Sequence, residues 1–240
     1  MRHRLIGMVF LALVISVASV AFVSAQPNEP VEKIVFIHYM KGVATVPAST
    51  DQVTNYKLLY GGVKWKSLPV TYYVNPTGSG LDSNAVLLQV QYAFEAWDDA
   101  VTAKELFSSA TLDLTVSYSS SRDYKNAVTW SYISDSRIIA QTTIWYNPAT
   151  KTVVECDIVF SMNPAIPWGI DPDGEGPQTI SAFDVRNIAS HESGHWLVLL
   201  DLYASKDSEL TMYGYSAIGE TRKISLGIGD ILGCQKLYGT

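Results

Sequence analysis

The sequence predicts an α+β domain: a twisted mixed β-sheet with a long backing helix, a second helix that carries a pair of histidines, and a C-terminal helix. Three observations lead there. Val86, Val90, Ala93, Phe94, Trp97 and Val101 recur at helical spacing. Four segments with strand character follow that helix. A further helix then opens after Asp184 and contains His191-Glu192-Ser193-Gly194-His195.

Taken in order, the chain begins with a basic stretch (Arg2, Arg4), an apolar run from Leu5 to Val23, and small residues Ser24 and Ala25 before polar residues. That order reads as a secretory signal peptide over residues 1–25, cleaved after Ala25. An uncleaved membrane anchor is the alternative, because the apolar run is just long enough to span a bilayer. Either way the rest of the chain is expected outside the cytoplasm, secreted or membrane-anchored. Residues 26–62 read as an N-terminal extension or propiece, with one added strand over Ile34 to Tyr39 and a small, polar loop after it.

From residue 63 to 240 one domain accounts for the pattern. Val70 to Val74 is a strand candidate closed by the turn-forming NPTGSG, and Asp82 or Ser83 is placed to cap the long helix. Strands are expected over Leu112 to Tyr118, Ala127 to Tyr132, Ile138 to Tyr146 and Val153 to Phe160. The turn NPATK joins the last two as a hairpin, and strands flanking the long helix pair in parallel through that crossover. After the Pro- and Gly-rich segment 161–179, Asp184 caps the histidine helix. Gly229 to Tyr238 closes the chain as a helix.

Composition narrows the function classes. Without residues 1–25 the chain keeps 15 basic and 23 acidic residues, a net charge of −8 obtained by removing Arg2 and Arg4 from the full count. Such a chain is a poor partner for nucleic acid. Cys156 and Cys234, in an exported chain, permit one disulfide; two buried free thiols fit the count equally well. No GxSxG, CxxC or P-loop pattern occurs.

The chemistry concentrates in the histidine helix. His191 and His195, four apart, project from one face about a turn apart, the spacing with which two imidazoles grip one zinc ion. Glu192 can reach a water in the open coordination position and take its proton as general base, while the metal lowers that water's pKa and polarises a carbonyl. Peptide hydrolysis matches this arrangement best. A third ligand is needed, and Asp201 is the leading candidate; Asp207, Glu209, Glu220 and His38 are the others. A helix continued from His195 would turn Asp201 about 120° away, so the helix must end before it.

HESGHWLVLLD followed by TMY resembles the metzincin pattern, in which an HExxH motif and a later histidine or aspartate precede a methionine turn. VQYAFEAWDDA and GDILGCQKLYG resemble the first and last helices of the matrixin branch. The likeness covers residues 63–240 and implies a zincin-like fold and a zinc-dependent metalloendopeptidase that acts on peptide or protein substrates. It implies that Met212 lies beneath the metal without binding it, and that Tyr213, Gly214 and Tyr215 wall the pocket for the residue after the scissile bond. It also implies that Ile138 to Tyr146 is the edge strand along which an extended substrate is added. The sequence departs from the family at Val198, which stands where the family has glycine and whose branched side chain resists positive φ at a cost of ~1–2 kcal/mol.

Two weaker patterns complete the reading. Asp171, Asp173 and Glu175, with Gly174 and Gly176, suit a calcium ion, although a solvated acidic loop is the plainer interpretation. The rival to an enzyme is a noncatalytic or latent module of the same fold that uses its cleft to bind a peptide or protein partner. No cysteine lies in residues 26–62 to hold such a module latent through a thiolate.

Overall fold

Asp82 starts the long helix by accepting the Ala85 N–H through its side chain, and α1 runs over Ser83–Asp98. The computed structural model describes residues 30–41, 53–59, 61–171 and 181–240. Its strands are β1 Glu32–Met40, β2 Tyr73–Asn75, β3 Thr111–Leu112, β4 Ala127–Ser131, β5 Ile138–Asn147, β6 Thr152–Ser161, β7 Trp168–Gly169, β8 Phe183–Asp184 and β9 Tyr215–Ser216. Helix α2 spans Val185–Trp196 and α3 Ile228–Tyr238.

Seven strands form one mixed sheet in the order β3-β2-β4-β6-β5-β1-β9. β2, β3, β4 and β6 run parallel, consistent with the crossover through α1, whereas β5 lies antiparallel to both β6 and β1. β7 and β8 make a separate small ribbon. The helix periodicity of α1 buries Val86, Val90, Ala93, Phe94 and Trp97. Burial of each large side chain is worth about 1.5–3 kcal/mol. Phe94 stacks on Tyr72 at 4.2 Å and meets Trp196 edge-on at 5.0 Å, so one aromatic cluster joins α1, the strand region and the end of α2. The Trp97 indole N–H donates to the Ser190 carbonyl at 2.9 Å, which fixes α1 against α2 at the turn preceding the histidines.

The strand expected over Leu112 to Tyr118 is corrected to Thr111–Leu112. Asp113 accepts the Thr115 N–H and hydroxyl, at 2.8 and 2.6 Å, and this local turn takes the backbone out of the sheet. Asn75 then ties the Leu114 and Val116 carbonyls from the side. The strand expected over Val70 to Val74 is likewise shorter, Tyr73–Asn75, with Val70 in an isolated bridge to Phe107. Cys156 and Cys234 are both buried free thiols. The apolar run 5–23 lies outside the described residues, among which no helix is long and apolar enough to cross a membrane.

The described parts of the extension are woven into the domain. β1 adds to the sheet, and the segment 53–59 packs beside α2 and α3: Val53 accepts the Gly229 N–H at 3.0 Å, and Leu58 bridges Leu199.

A pH dependence of stability follows from β6. Asp157 accepts the Ala127 N–H at 3.0 Å in a site only 5% exposed, and burial first, then the charge of Glu155, push its carboxyl up to about 8. The folded chain therefore holds a proton that the unfolded chain releases above the ordinary value of 3.8. Stability is full below that value and falls as pH rises towards about 8, by at most ~1.4 kcal/mol per pH unit. Asp157→Asn keeps the acceptor and removes the ionisation. Thermal melts are expected to favour the variant by several degrees at pH 8 and to converge with wild type below pH 4 (about 2–4 °C per kcal/mol in a chain of this size). A gap of the same size at both pH values contradicts this account.

Candidate metal centre

The side chain of Asp184 caps α2 by accepting the Asn187 N–H at 2.7 Å, and the helix carries His191 and His195 on one buried face with ring centroids 4.9 Å apart. Each imidazole is held by its other nitrogen. His191 Nδ1 donates to the Thr211 carbonyl and His195 Nδ1 to the Leu199 carbonyl, both at 2.7 Å. Because a carbonyl can only accept, these bonds fix the tautomer and leave both Nε2 lone pairs free for a metal.

The helix ends at Trp196, and the chain turns back through Val198, which sits at φ +60°, the left-handed conformation that glycine adopts freely. The cost of ~1–2 kcal/mol is offset by complete burial of the valine side chain and by bonds from both sides. Val198 N–H donates to the His195 carbonyl at 2.8 Å, and its own carbonyl accepts the Leu59 N–H at 2.9 Å. One residue further, Leu200 N–H reaches the Lys57 carbonyl at 2.8 Å. The segment 57–59 thus clamps the turn that a glycine would otherwise make.

Beyond this turn Asp201 comes back to the helix. Its Oδ1 lies 3.2 Å from His191 Nε2 and 3.6 Å from His195 Nε2, yet neither Asp201 Oδ1 nor His191 Nε2 has a hydrogen-bond partner although both are buried. Unpaired polar atoms cost free energy in an interior, so these two atoms, with His195 Nε2 converging on them, fit a divalent cation such as zinc. Charge agrees with that fit. Burial drives the His195 pKa down to about 4 and so keeps its imidazole neutral. Burial would raise Asp201, but His195 and His191 outweigh it and hold the carboxyl below its usual range, as an anion. His191, nearer to Asp201, is raised by that carboxylate in spite of its burial.

Glu192 stands beside the cluster and is fully buried. Thr142 on β5 donates its hydroxyl to Glu192 Oε2 at 2.5 Å. The other carboxylate oxygen faces His38 of β1, whose Nδ1 lies 3.2 Å from Glu192 Oε1, and burial pushes the Glu192 carboxyl up to about 7. The place beside β5 where an extended peptide was expected to add is thus taken by the chain itself: β1 pairs with β5 from Glu32↔Tyr146 to Tyr39↔Ile138.

Met212 lies beneath α2, where Gly194 leaves it room. A Cβ at Gly194 would stand 2.3 Å from the Met212 sulfur and 2.6 Å from the Trp97 ring. The methionine could rotate, but Trp97 is fully buried and held by Ser190. Gly194→Ala is therefore expected to cost about 1–3 kcal/mol in a urea titration through overpacking. An unchanged midpoint contradicts this packing. Asp230 of α3 anchors the same turn, accepting the Thr211 and Met212 N–H groups at 2.8 and 3.1 Å, and Thr211 in turn holds His191. Tyr213 and Gly214 follow, and a Cβ at Gly214 would stand 2.4 Å from the ring of the half-exposed Tyr203, which would have to move aside. Tyr203 lies beside Asp201 and helps to hold its carboxyl below the usual range.

The other third-ligand candidates are engaged elsewhere. Asp207 accepts from Asn55, Glu209 pairs with Arg222, and Glu220 pairs with the buried Lys223. His38 is close, but it groups with His191 and Glu192, whereas Asp201 groups with His191 and His195. Of the acidic loop, Asp171 is buried, and Asp173, Gly174, Glu175 and Gly176 lie outside the described residues. The sequence reading missed Thr142, Gly194, Asp230 and the lodging of His38 on Glu192. Thr142, Gly194 and Asp230 lay within segments that the family resemblance already marked, whereas His38 did not.

A family model for the peptidase M10 group described as Matrixin matches residues 64–239. The chain belongs to the matrixin family. Among curated proteins, this matrixin is 26% identical to "Metalloendoproteinase 1-MMP" of Arabidopsis thaliana over 189 residues, which is 77% of this chain and 47% of that protein. It is 42% identical to "Metalloendoproteinase 1" of Glycine max over 72 residues, 30% of this chain and 22% of the relative. The alignments thus take in about half of the first relative's length and about a fifth of the second's. Membership of the family implies zinc, and the donor set described above is suited to it.

Proposed function

We propose that this matrixin is an exported zinc metalloendopeptidase, with His191, His195 and Asp201 holding the metal and Glu192 acting as general base. One observation carries the reading: two tautomer-locked imidazoles and a carboxylate converge beside a buried glutamate, and two of their facing atoms, His191 Nε2 and Asp201 Oδ1, are buried without a hydrogen-bond partner. When bound, the metal supplies Lewis acidity to a water and to the scissile carbonyl. The rest is done by the chain. The main chain of β5 orients an extended substrate by hydrogen bonding. Glu192, steadied by Thr142, takes a proton from the attacking water as the new C–O bond forms, and delivers it to the amine nitrogen as the C–N bond breaks. The family resemblance gives Tyr213 and Tyr215 the wall of the site; Tyr215 lies on β9, across β1 from β5, and Met212 packs against Gly194 of the metal-binding helix.

Export rests on the order of charge, apolar run and small residues in positions 1–25. An intact mass of the exported protein that lacks those residues supports it, and a mass that includes them supports the anchored form. For the peptidase, a recognition site for a sequence-specific protease inserted after Thr50 allows β1 to be detached from an otherwise whole chain. The zinc-loaded, nicked protein is expected to cleave an unbiased peptide mixture, to stop with a chelator and to recover with zinc. One zinc per chain without any cleavage rejects the enzyme and favours the binding module, a reading that the presence of β1 in the cleft already gives some weight.

A further inference from the structure

We infer that residues 32–40 are a resident inhibitor of this active site, a self-ligand in which the side chain of His38 covers the general base. The inference rests on the proposed metal centre and adds to it a named occupant and a blocking residue. β1 enters the sheet between β5, to which it runs antiparallel, and β9, to which it runs parallel through Tyr39↔Tyr215 and Met40↔Ser216. It is therefore bonded along both edges, as an extended peptide in a cleft would be. The alternation of a strand places Phe36 and His38 on the same face, and both meet the metal-binding helix. Phe36 stacks flat on His195 with centroids 4.2 Å apart and planes 8° from parallel, while His38 lies 3.9 Å from the His191 ring.

These two rings cover the side of the cluster that a substrate would have to reach. His38 Nδ1 faces Glu192 Oε1 at 3.2 Å, so the oxygen that would accept a proton from water is already in contact with an imidazole. His38 is 1% exposed and its Nε2 has no partner. The outer flanks are secured as well: Tyr146 hydroxyl bonds Glu32, Met40 N–H donates to the Arg137 carbonyl at 2.8 Å, and Lys41 N–H to the Ser216 carbonyl at 2.7 Å. With no cysteine in residues 26–62, the latching role falls to a strand and two aromatic rings. Because the strand is tethered, its effective concentration at the cleft is of millimolar order, and it outcompetes a dilute peptide until the chain is cut or the strand is weakened.

The test reads binding as well as activity. A fluorescent peptide copying residues 32–40 is titrated by anisotropy onto zinc-loaded full-length protein in a Glu192→Gln background, where no hydrolysis can interfere. Phe36→Ala/His38→Ala is expected to take up the peptide at least tenfold more tightly than the same background without those changes. The chain nicked after Thr50 and diluted below micromolar concentration is expected to do the same, which guards against misfolding of the double variant. In the Glu192-intact protein the same two alterations should raise peptide cleavage at least tenfold. If the peptide binds all three forms alike, the inhibitor role is overturned. If it binds only the altered forms while none of them cleaves any peptide, the self-ligand stands and the peptidase reading falls.

Discussion

Asp201→Ala is expected to weaken zinc binding by about two orders of magnitude or more while leaving the fold in place. Loss of a hydrogen-bonding partner one shell out from a metal typically costs 10–100-fold in affinity, and loss of a direct ligand should cost more. Here the effect is compounded by charge. His195 is held neutral by burial, so Asp201 is the anionic member of the trio. Without it, two neutral imidazoles face a divalent ion at a site shielded from water. The fold should survive, since the turn that delivers Asp201 is fixed by backbone bonds at Val198 and Leu200 rather than by its carboxylate. Competition against a chromogenic chelator measures the affinity, and a circular dichroism melt checks the fold. Unchanged affinity would move the third ligand to His38, which groups with His191 and Glu192. The double variant Asp201→Ala/His38→Ala then separates the two cases.

How much of this site was written in local sequence can be judged residue by residue. His191, Glu192 and His195 follow from a spacing of four on a helix, and Asp82 and Asp184 announce their helices by side-chain caps that depend on neighbours only three residues away. Asp201 is different. Its place depends on a valine at φ +60°, which local preference argues against, and the conformation is held by the segment 57–59, far off in the chain. No periodicity reports such a clamp. His38 makes the same point more strongly: it meets Glu192 across 154 residues, a contact created by the register of β1 on β5. The strand character of Ile34 to Tyr39 was legible, whereas its pairing partner was not, because alternation identifies a strand and leaves its neighbours open. The segment Leu112 to Tyr118 shows the converse error, an alternating pattern undone by the single side chain of Asp113.

Glu192→Gln, introduced into the chain nicked after Thr50, is expected to lower kcat for peptide cleavage by 10²–10⁴-fold with zinc content unchanged. On the barrier this is about 3–5 kcal/mol. The glutamine keeps the shape of the side chain, its oxygen can still accept the Thr142 hydroxyl, and the metal trio is untouched, so the substitution removes little besides the ability to take a proton. With β1 in place burial pushes the Glu192 carboxyl up, and detaching β1 uncovers the oxygen that faces His38, so the nicked chain is the form in which this carboxylate can meet a water. Thr142→Val tests the positioning separately. Loss of a hydroxyl that only orients the carboxylate should lower kcat by about tenfold or less, leave KM unchanged, and leave Glu192→Gln no further effect from Thr142. If Glu192→Gln keeps full activity, the base lies elsewhere and the contact with His38 loses its inhibitory meaning. If activity and zinc disappear together, Glu192 belongs to the metal's ligands, and the trio must be redrawn around His38, His191 and Glu192.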